Sequence, residues 1–220
     1  MQLTTNTLAT RTGQVTVDAL ETLEDNCVLS DDFWENPDAR MDCEPDRGDN
    51  AAAFHLAGPR AEIAFDPKEC TAAIVTCGGL CPGLNTVIRE VVMCLRRQYG
   101  VTKTYGVPGG YRGFIEPDTW RPLDEDVVKM YHTQGGSRLG SSRGGHDTAK
   151  IVDSLVERGV NLLFVVGGDG TARGAAKIAA EVKRRGLAIA VAVVPKTIDN
   201  DVPLLDRTFG FEVRGWCVAP

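Results

Sequence analysis

The chain has 220 residues, 43% of them hydrophobic and 25% charged, with a net charge of −6. These are ordinary proportions for a folded protein and exclude wholesale disorder. No run of about 18 apolar residues is present, so no membrane-spanning helix is expected, and the acidity argues against a general nucleic-acid binder.

The charge is unevenly spread. Residues 1–70 hold five basic and fifteen acidic side chains, a net of −10, whereas residues 71–220 carry a net of +4. Residues 1–55 therefore read as an acidic, loop-rich or mobile extension ahead of a mildly basic domain suited to small anions. Residues 2–16 lack acids, but with one arginine they make no convincing transit peptide, and residues 1–20 lack the apolar core of a signal peptide. Seven cysteines, at 27, 43, 70, 77, 81, 94 and 217, fit no disulfide framework. Free thiols and a cytoplasmic, reducing setting are expected. Cys77 and Cys81 have a metal-like spacing, yet no second pair completes four zinc ligands.

From residue 71 the texture becomes regular. Residues 71–77 form a short apolar run with β-branched members, a strand ending in the glycine-rich "GGLCPG" of 78–83. Apolar residues at 84, 87, 88, 91, 92 and 95 predict a helix over 84–99. A strand is expected over 103–108, followed by "GGYRGF". Asp147 is expected to cap a helix running to Arg158, with Ile151, Val152, Leu155 and Val156 on its apolar face. Residues 161–166 and 187–195 read as strands buried on both sides, separated by a helix over 172–185. Strand, glycine-rich turn, helix, strand is the rhythm of an open parallel α/β sheet with helices on both faces. The loops 78–83, 167–171 and 196–201 all follow strand ends and are expected to line one cleft.

Those loops carry the chemistry. Glycines at 167, 168 and 170 let backbone N–H groups approach an anion, and the helix that follows adds partial positive charge. Asp169 stands where a carboxylate can hold Mg²⁺ beside phosphate oxygens; taken alone, the same stretch also suits a tight turn with Asp169 as a helix cap. In "PKTIDND" (195–201), Thr197, Asp199 and Asp201 share one side if the segment is extended, and Lys196 adds a cation. A carboxylate there can take a proton from an alcohol during phosphoryl transfer, although a hydrogen-bonded turn is the competing reading. "GGSRLGSSRGG" (135–145) adds Arg138 and Arg143 in a loop that is either anion-binding or merely surface. His55, His132 and His146 lack a triad-like or ligand-like setting.

In consecutive order, "AAIVTCGGLCPGLNTVIREVV", "GVPGGYRGF", "GGSRLGSSRGG", "NLLFVVGGDGT" and "VPKTIDNDV" resemble the phosphofructokinase family, in its plant and protist ATP-dependent form, over 56–211. The resemblance implies phosphoryl transfer from ATP to the 1-hydroxyl of fructose 6-phosphate, with Mg²⁺, in an allosteric homo-oligomer of glycolysis. By position, Asp199 resembles the general base, with Thr197 and Ile198 beside it in the sugar-phosphate site, and Lys196 a phosphate contact. Asp169 resembles the Mg²⁺ residue. Gly78, Arg143, Gly144, Gly168, Asp169, Gly170 and Thr171 resemble the nucleotide-binding set, and Tyr111 a nucleotide-side aromatic. Gly170 favours ATP over pyrophosphate as donor, because pyrophosphate-using relatives carry Asp there; Lys196 is shared with both groups. The family's fold implies a second lobe, with the arginines that hold the sugar phosphate. Here the match ends at "DRTFGF" and 212–220 read as a divergent tail, so the expectation is an incomplete form with little activity of its own. The alternative is a non-catalytic nucleotide-binding or subunit-pairing protein. A dinucleotide-binding dehydrogenase is excluded for want of its glycine and acid fingerprint, and a lipid or NAD kinase would share "GGDGT" but not "PKTIDND".

Overall fold

A computed structural model of the chain describes residues 63–116, 119–200 and 208–211. The acidic extension expected over 1–55, the tail 212–220 and Asp201 lie outside the described residues. Nearly all of those described belong to one compact unit, Phe65–Pro220.

Six strands, β1 (Thr71–Thr76), β2 (Lys103–Val107), β3 (Arg121–Pro122), β4 (Leu162–Gly167), β5 (Ala190–Thr197) and β6 (Phe209–Gly210), make a sheet in the order β3-β2-β1-β4-β5-β6. All pairings are parallel except β2 with β3. The central strands β1 and β4 are buried along their whole length, as their unbroken apolar runs require.

Between β1 and β2 runs helix α1 (Leu84–Cys94); the short helix α2 (Glu125–Val128) and then α3 (Thr148–Glu157) lead to β4, and α4 (Asp169–Arg184) joins β4 to β5. From β1 the chain steps to one side, and from β4 to the other. Right-handed crossovers then put α1 and α4 on opposite faces. One face of the sheet packs Ala73, Val75, Leu163 and Val165 against Ile151 and Leu155 of α3 and Ile178 and Val182 of α4. Alternation turns Ile74 to the other face, where α1 buries Leu84, Ile88 and Val92 at helical spacing. The open α/β sheet expected from the sequence is the fold observed.

Several boundaries differ from expectation, each for a local reason. The helix expected over 84–99 is α-helical only to Cys94 and widens into a π turn over Leu95–Tyr99. Gly100, at φ 76, closes it by donating to the Arg96 carbonyl. Asp147 caps α3 as expected, its Oδ1 accepting the Lys150 N–H at 3.2 Å. Val156, however, is 48% exposed and the buried face runs through Ile151, Val152, Ser154 and Leu155. Helix α4 starts three residues early, because the N–H groups of Thr171 and Ala172 both reach the Gly168 carbonyl. Strand β5 begins late, after Leu187 has folded back onto the Val182 carbonyl, and continues through Lys196 and Thr197, which pair with β6. The two-residue strands β3 and β6 are too short to leave a periodic signal.

Candidate active site

The strand order reverses between β1 and β4, so the chain leaves the carboxyl ends of these neighbouring strands in opposite directions and opens a crevice there. Glycine-rich loops follow both strands, and β5 ends beside them.

Lys196, the penultimate residue of β5, is only 6% exposed. Its ammonium donates to the Gly79 carbonyl at 2.6 Å, across to the loop after β1. An ideal Cβ on Gly78 would lie 3.8 Å from Lys196 Nζ and 4.0 Å from Thr171 Oγ1, and Gly78 has φ 81, a left-handed backbone that favours glycine. Gly168 backs onto the Lys196 carbonyl, where a Cβ would sit 3.2 Å away. The structure thus brings Gly78, Gly168, Thr171 and Lys196 together at the ends of three strands, as the loop positions implied. Arg143 is exposed and joins them from the 135–145 loop, its Nη2 3.9 Å from an ideal Cβ on Gly79. Gly144 and Gly170 are exposed, and a Cβ on either would meet nothing within 4 Å.

Asp169 is neither in the turn nor a cap. Gly168 occupies the N-cap position, and Asp169 is the first residue of α4, half-buried, where the helix dipole favours its negative charge. Among the described residues no three His, Cys, Asp or Glu side chains gather into a metal cage. One carboxylate beside an anion cradle still fits Mg²⁺, which commonly enters on phosphate oxygens with one or two protein carboxylates.

The extended geometry expected for 197–199 is not found. The Asp199 N–H donates to Thr197 Oγ1 at 3.1 Å and Asn200 takes φ 55, so the segment is a hydrogen-bonded turn. Thr197 and Ile198 are half-buried and Asp199 is exposed. Asn200 Oδ1 in turn accepts the Thr208 N–H at 2.8 Å, and Thr208 Oγ1 donates to the Thr197 carbonyl at 3.0 Å. The turn that carries Asp199 is therefore anchored to the segment entering β6.

Sequence reasoning missed the residues that hold the loops. Asn85, 2% exposed on α1, donates through Nδ2 to the carbonyls of Gln134 (2.8 Å) and Gly135 (3.2 Å) and accepts the Arg138 N–H at 2.7 Å. Thr76 Oγ1, buried at the end of β1, donates to the Gly140 carbonyl at 2.7 Å. Ser141 Oγ donates to the Gly78 carbonyl at 2.6 Å, and the Gly78 N–H returns to the Ser142 carbonyl at 3.0 Å. The 135–145 stretch is thus fastened to the loop after β1 and not a loose surface loop. Arg138, expected to share its role with Arg143, instead stacks its guanidinium over the Tyr131 ring, 5.6 Å from the centroid.

Cys77, just ahead of the loop after β1, and Cys81, within it, are free, buried thiols. Burial pushes the Cys77 thiol up to about 12 and that of Cys81 to about 11, against a smaller opposing pull from Lys196. Both thiols are therefore protonated at neutral pH.

Residues 71–213 match the family model for phosphofructokinase. Over 165 residues the chain is 54% identical to ATP-dependent 6-phosphofructokinase 7 of Arabidopsis thaliana, covering 75% of this chain and 34% of that one. It is 48% identical over 172 residues to the ATP-dependent 6-phosphofructokinase of Borreliella burgdorferi, covering 76% and 38% of the two. A pyrophosphate-dependent phosphofructokinase from Marinobacter aquaeolei shares the fold, with a TM-score of 0.60 at 23% identity over 64% of this chain and 37% of that one. The chain spans about a third of the length of the curated relatives it matches.

Proposed function

The chain belongs to the phosphofructokinase family, and from that premise we propose that the protein transfers the γ-phosphoryl group of ATP to the 1-hydroxyl of fructose 6-phosphate. The observation that carries the reading is the meeting of Lys196, Gly78 and Thr171 beside the first turn of α4. A buried ammonium, glycine-opened backbone and a helix N-terminus converge where the sheet order reverses, a cradle for a polyphosphate.

In the reaction the 1-hydroxyl oxygen forms its bond to the γ-phosphorus as the bond from that phosphorus to the β-bridging oxygen breaks. ADP leaves, and the hydroxyl proton passes to the Asp199 carboxylate. Its exposure at the end of β5 leaves Asp199 accessible to a sugar, and the bond to Thr197 Oγ1 holds the backbone of its turn. Lys196 and the N–H groups of the first α4 turn offset the charge that builds on the phosphates. Mg²⁺, when bound with the nucleotide, supplies further neutralisation of the same oxygens, and Asp169 is the residue that would hold it. The open space at Gly170 supports ATP over pyrophosphate, since a nucleoside must extend beyond the β-phosphate. Homo-oligomerisation and a cytoplasmic, reducing setting complete the reading.

Asp199→Asn preserves the shape of the side chain and removes its basicity. In the protein carrying this chain, kcat is expected to fall about 10²–10⁴-fold, with both KM values within a few-fold of wild type. A variant that keeps its kcat within threefold removes Asp199 as the base.

A further inference from the structure

Tyr111 was expected on the nucleotide side of the cleft, yet its ring is only 5% exposed and offers no face for stacking. Its hydroxyl donates to the Thr171 carbonyl at 2.7 Å, in the first turn of α4, and its backbone N–H reaches toward the Cys77 sulfur at the end of β1. His146 packs edge-on against the same ring, with centroids 4.8 Å apart and planes at 84°. Its Nε2 lies 3.1 Å from the Gly174 carbonyl, one turn further along α4. A carbonyl can only accept, so that ring nitrogen carries the proton.

Between the two rings and the helix stands Gly174. An ideal Cβ there would lie 2.8 Å from Tyr111 Cε2 and 3.0 Å from both His146 Cδ2 and the Tyr111 hydroxyl. Both rings are stiff, and that of Tyr111 is enclosed, so a methyl group at 174 forces them off the helix. Glycine within a helix is less favourable than alanine, and here its absent side chain is what lets two aromatic groups grip backbone carbonyls directly. The two residues come from different loops, the turn after β2 and the end of the 135–145 stretch. Those loops are themselves joined, the Gly109 N–H donating to the Leu139 carbonyl at 2.9 Å and Ser142 Oγ to the Gly109 carbonyl at 2.5 Å.

We propose that Tyr111 and His146 are positioning residues for the phosphate donor: through Gly174 they clamp the first two turns of α4 to the loops behind it, and so fix Asp169, Gly170 and Thr171 against Lys196. The proposal rests on the phosphoryl-transfer reading above, and it makes neither residue a contact of the substrate. Loosening the clamp lets the donor cradle widen while the Asp199 turn, anchored through Thr208 just before β6, keeps its place. Donor affinity should therefore suffer and acceptor affinity should not.

The test uses the Mg²⁺ complex of the non-hydrolysable ATP analogue AMP-PNP, with its Kd measured by calorimetry alongside steady-state kinetics. Tyr111→Phe keeps the ring and removes one hydrogen bond, so the Kd for AMP-PNP and the KM for ATP are expected to rise about three- to tenfold. The KM for fructose 6-phosphate should stay within twofold. Gly174→Ala is expected to raise both donor constants further, and amide exchange in 169–175 should quicken in either variant. His146→Leu should behave like Tyr111→Phe, and His146→Gln, whose amide can donate to the same carbonyl, should recover most of the loss. Equal AMP-PNP affinity in wild type, Tyr111→Phe and Gly174→Ala overturns the proposal and leaves the functional reading intact. Equal increases in donor and acceptor KM overturn it as well, since they report general loosening. Failure of the wild-type protein to bind AMP-PNP overturns the functional reading and this proposal together.

Discussion

Lys196 shows how one residue can oppose stability and serve chemistry. A buried ammonium gives up its hydration, and the Gly79 carbonyl satisfies one of its three donors. Such a group is readily explained if a phosphate occupies the space beyond. Lys196→Met keeps the buried stem and removes the charge. Phosphoryl transfer is expected to fall about 10²–10³-fold, in line with the loss of a single electrostatic donor. The thermal midpoint should hold or rise, because replacing a buried charge by an apolar side chain is often neutral or stabilising. Initial rates and calorimetric scans on the same preparation check both signs. A midpoint that collapses while the rate survives makes Lys196 a structural residue instead.

At the scale of elements, the loops are held by polar side chains that reach across long stretches of sequence. Asn85 bonds residues 49 to 53 positions away, and removing its side chain strands the carbonyls of Gln134 and Gly135 and the Arg138 N–H together. Asn85→Ala is expected to lower stability by about 1–3 kcal/mol in chemical denaturation. Amide exchange across 134–142 should quicken, whereas unchanged exchange there means that the Thr76 and Ser141 bonds suffice. Such clips explain which parts of the fold the sequence could reveal. Buried strands and the stripe of α1 are written in local periodicity, and glycine clusters mark the turns, so the α/β architecture and the three cleft loops are legible residue by residue. Asn85 and Thr76 stand among apolar neighbours with nothing local to mark their partners. The Thr197–Asp199 segment stays open between an extended and a turn reading for a related reason, since a Thr hydroxyl can accept a nearby N–H or face a cleft, and spacing does not decide between them. Tyr111 illustrates the converse: its motif is conspicuous, but its burial behind α4 depends on the packing of three separate segments.

For the whole molecule, the sheet order places the buried thiols of Cys77 and Cys81 at the central crevice, while the described carboxylates with lowered pKa lie at the surface. Two pH limits of stability follow. On the acid side, hydrogen bonds from Arg184 and Arg185 hold the Glu181 carboxyl down to about 2, the backbone N–H of Lys150 lowers Asp147, and Arg97 lowers Glu125. Groups depressed in the fold stabilise it above their unfolded pKa and lose that contribution as pH falls below about 4.5. All three are only partly buried and lie at the surface, so salt screening keeps this limit shallow. On the alkaline side the sign reverses. Cys77, raised to about 12, and Cys81, raised to about 11, remain protonated in the fold after the unfolded chain has begun to ionise near 9, and burial raises Tyr111 in the same direction. Their contribution is complete below about 9 and is lost as pH rises through the folded values. The thermal midpoint is therefore expected to be level from about 5 to 8.5 and to fall steeply above 9. Cys77→Ala removes one raised group from the wall of the crevice, so its midpoint should start lower, because a buried sulfur is lost, but decline less between pH 9 and 11. Parallel alkaline limbs for wild type and variant would mean that the Cys77 thiol ionises in the fold as readily as in the unfolded chain, and that the end of β1 is open to water.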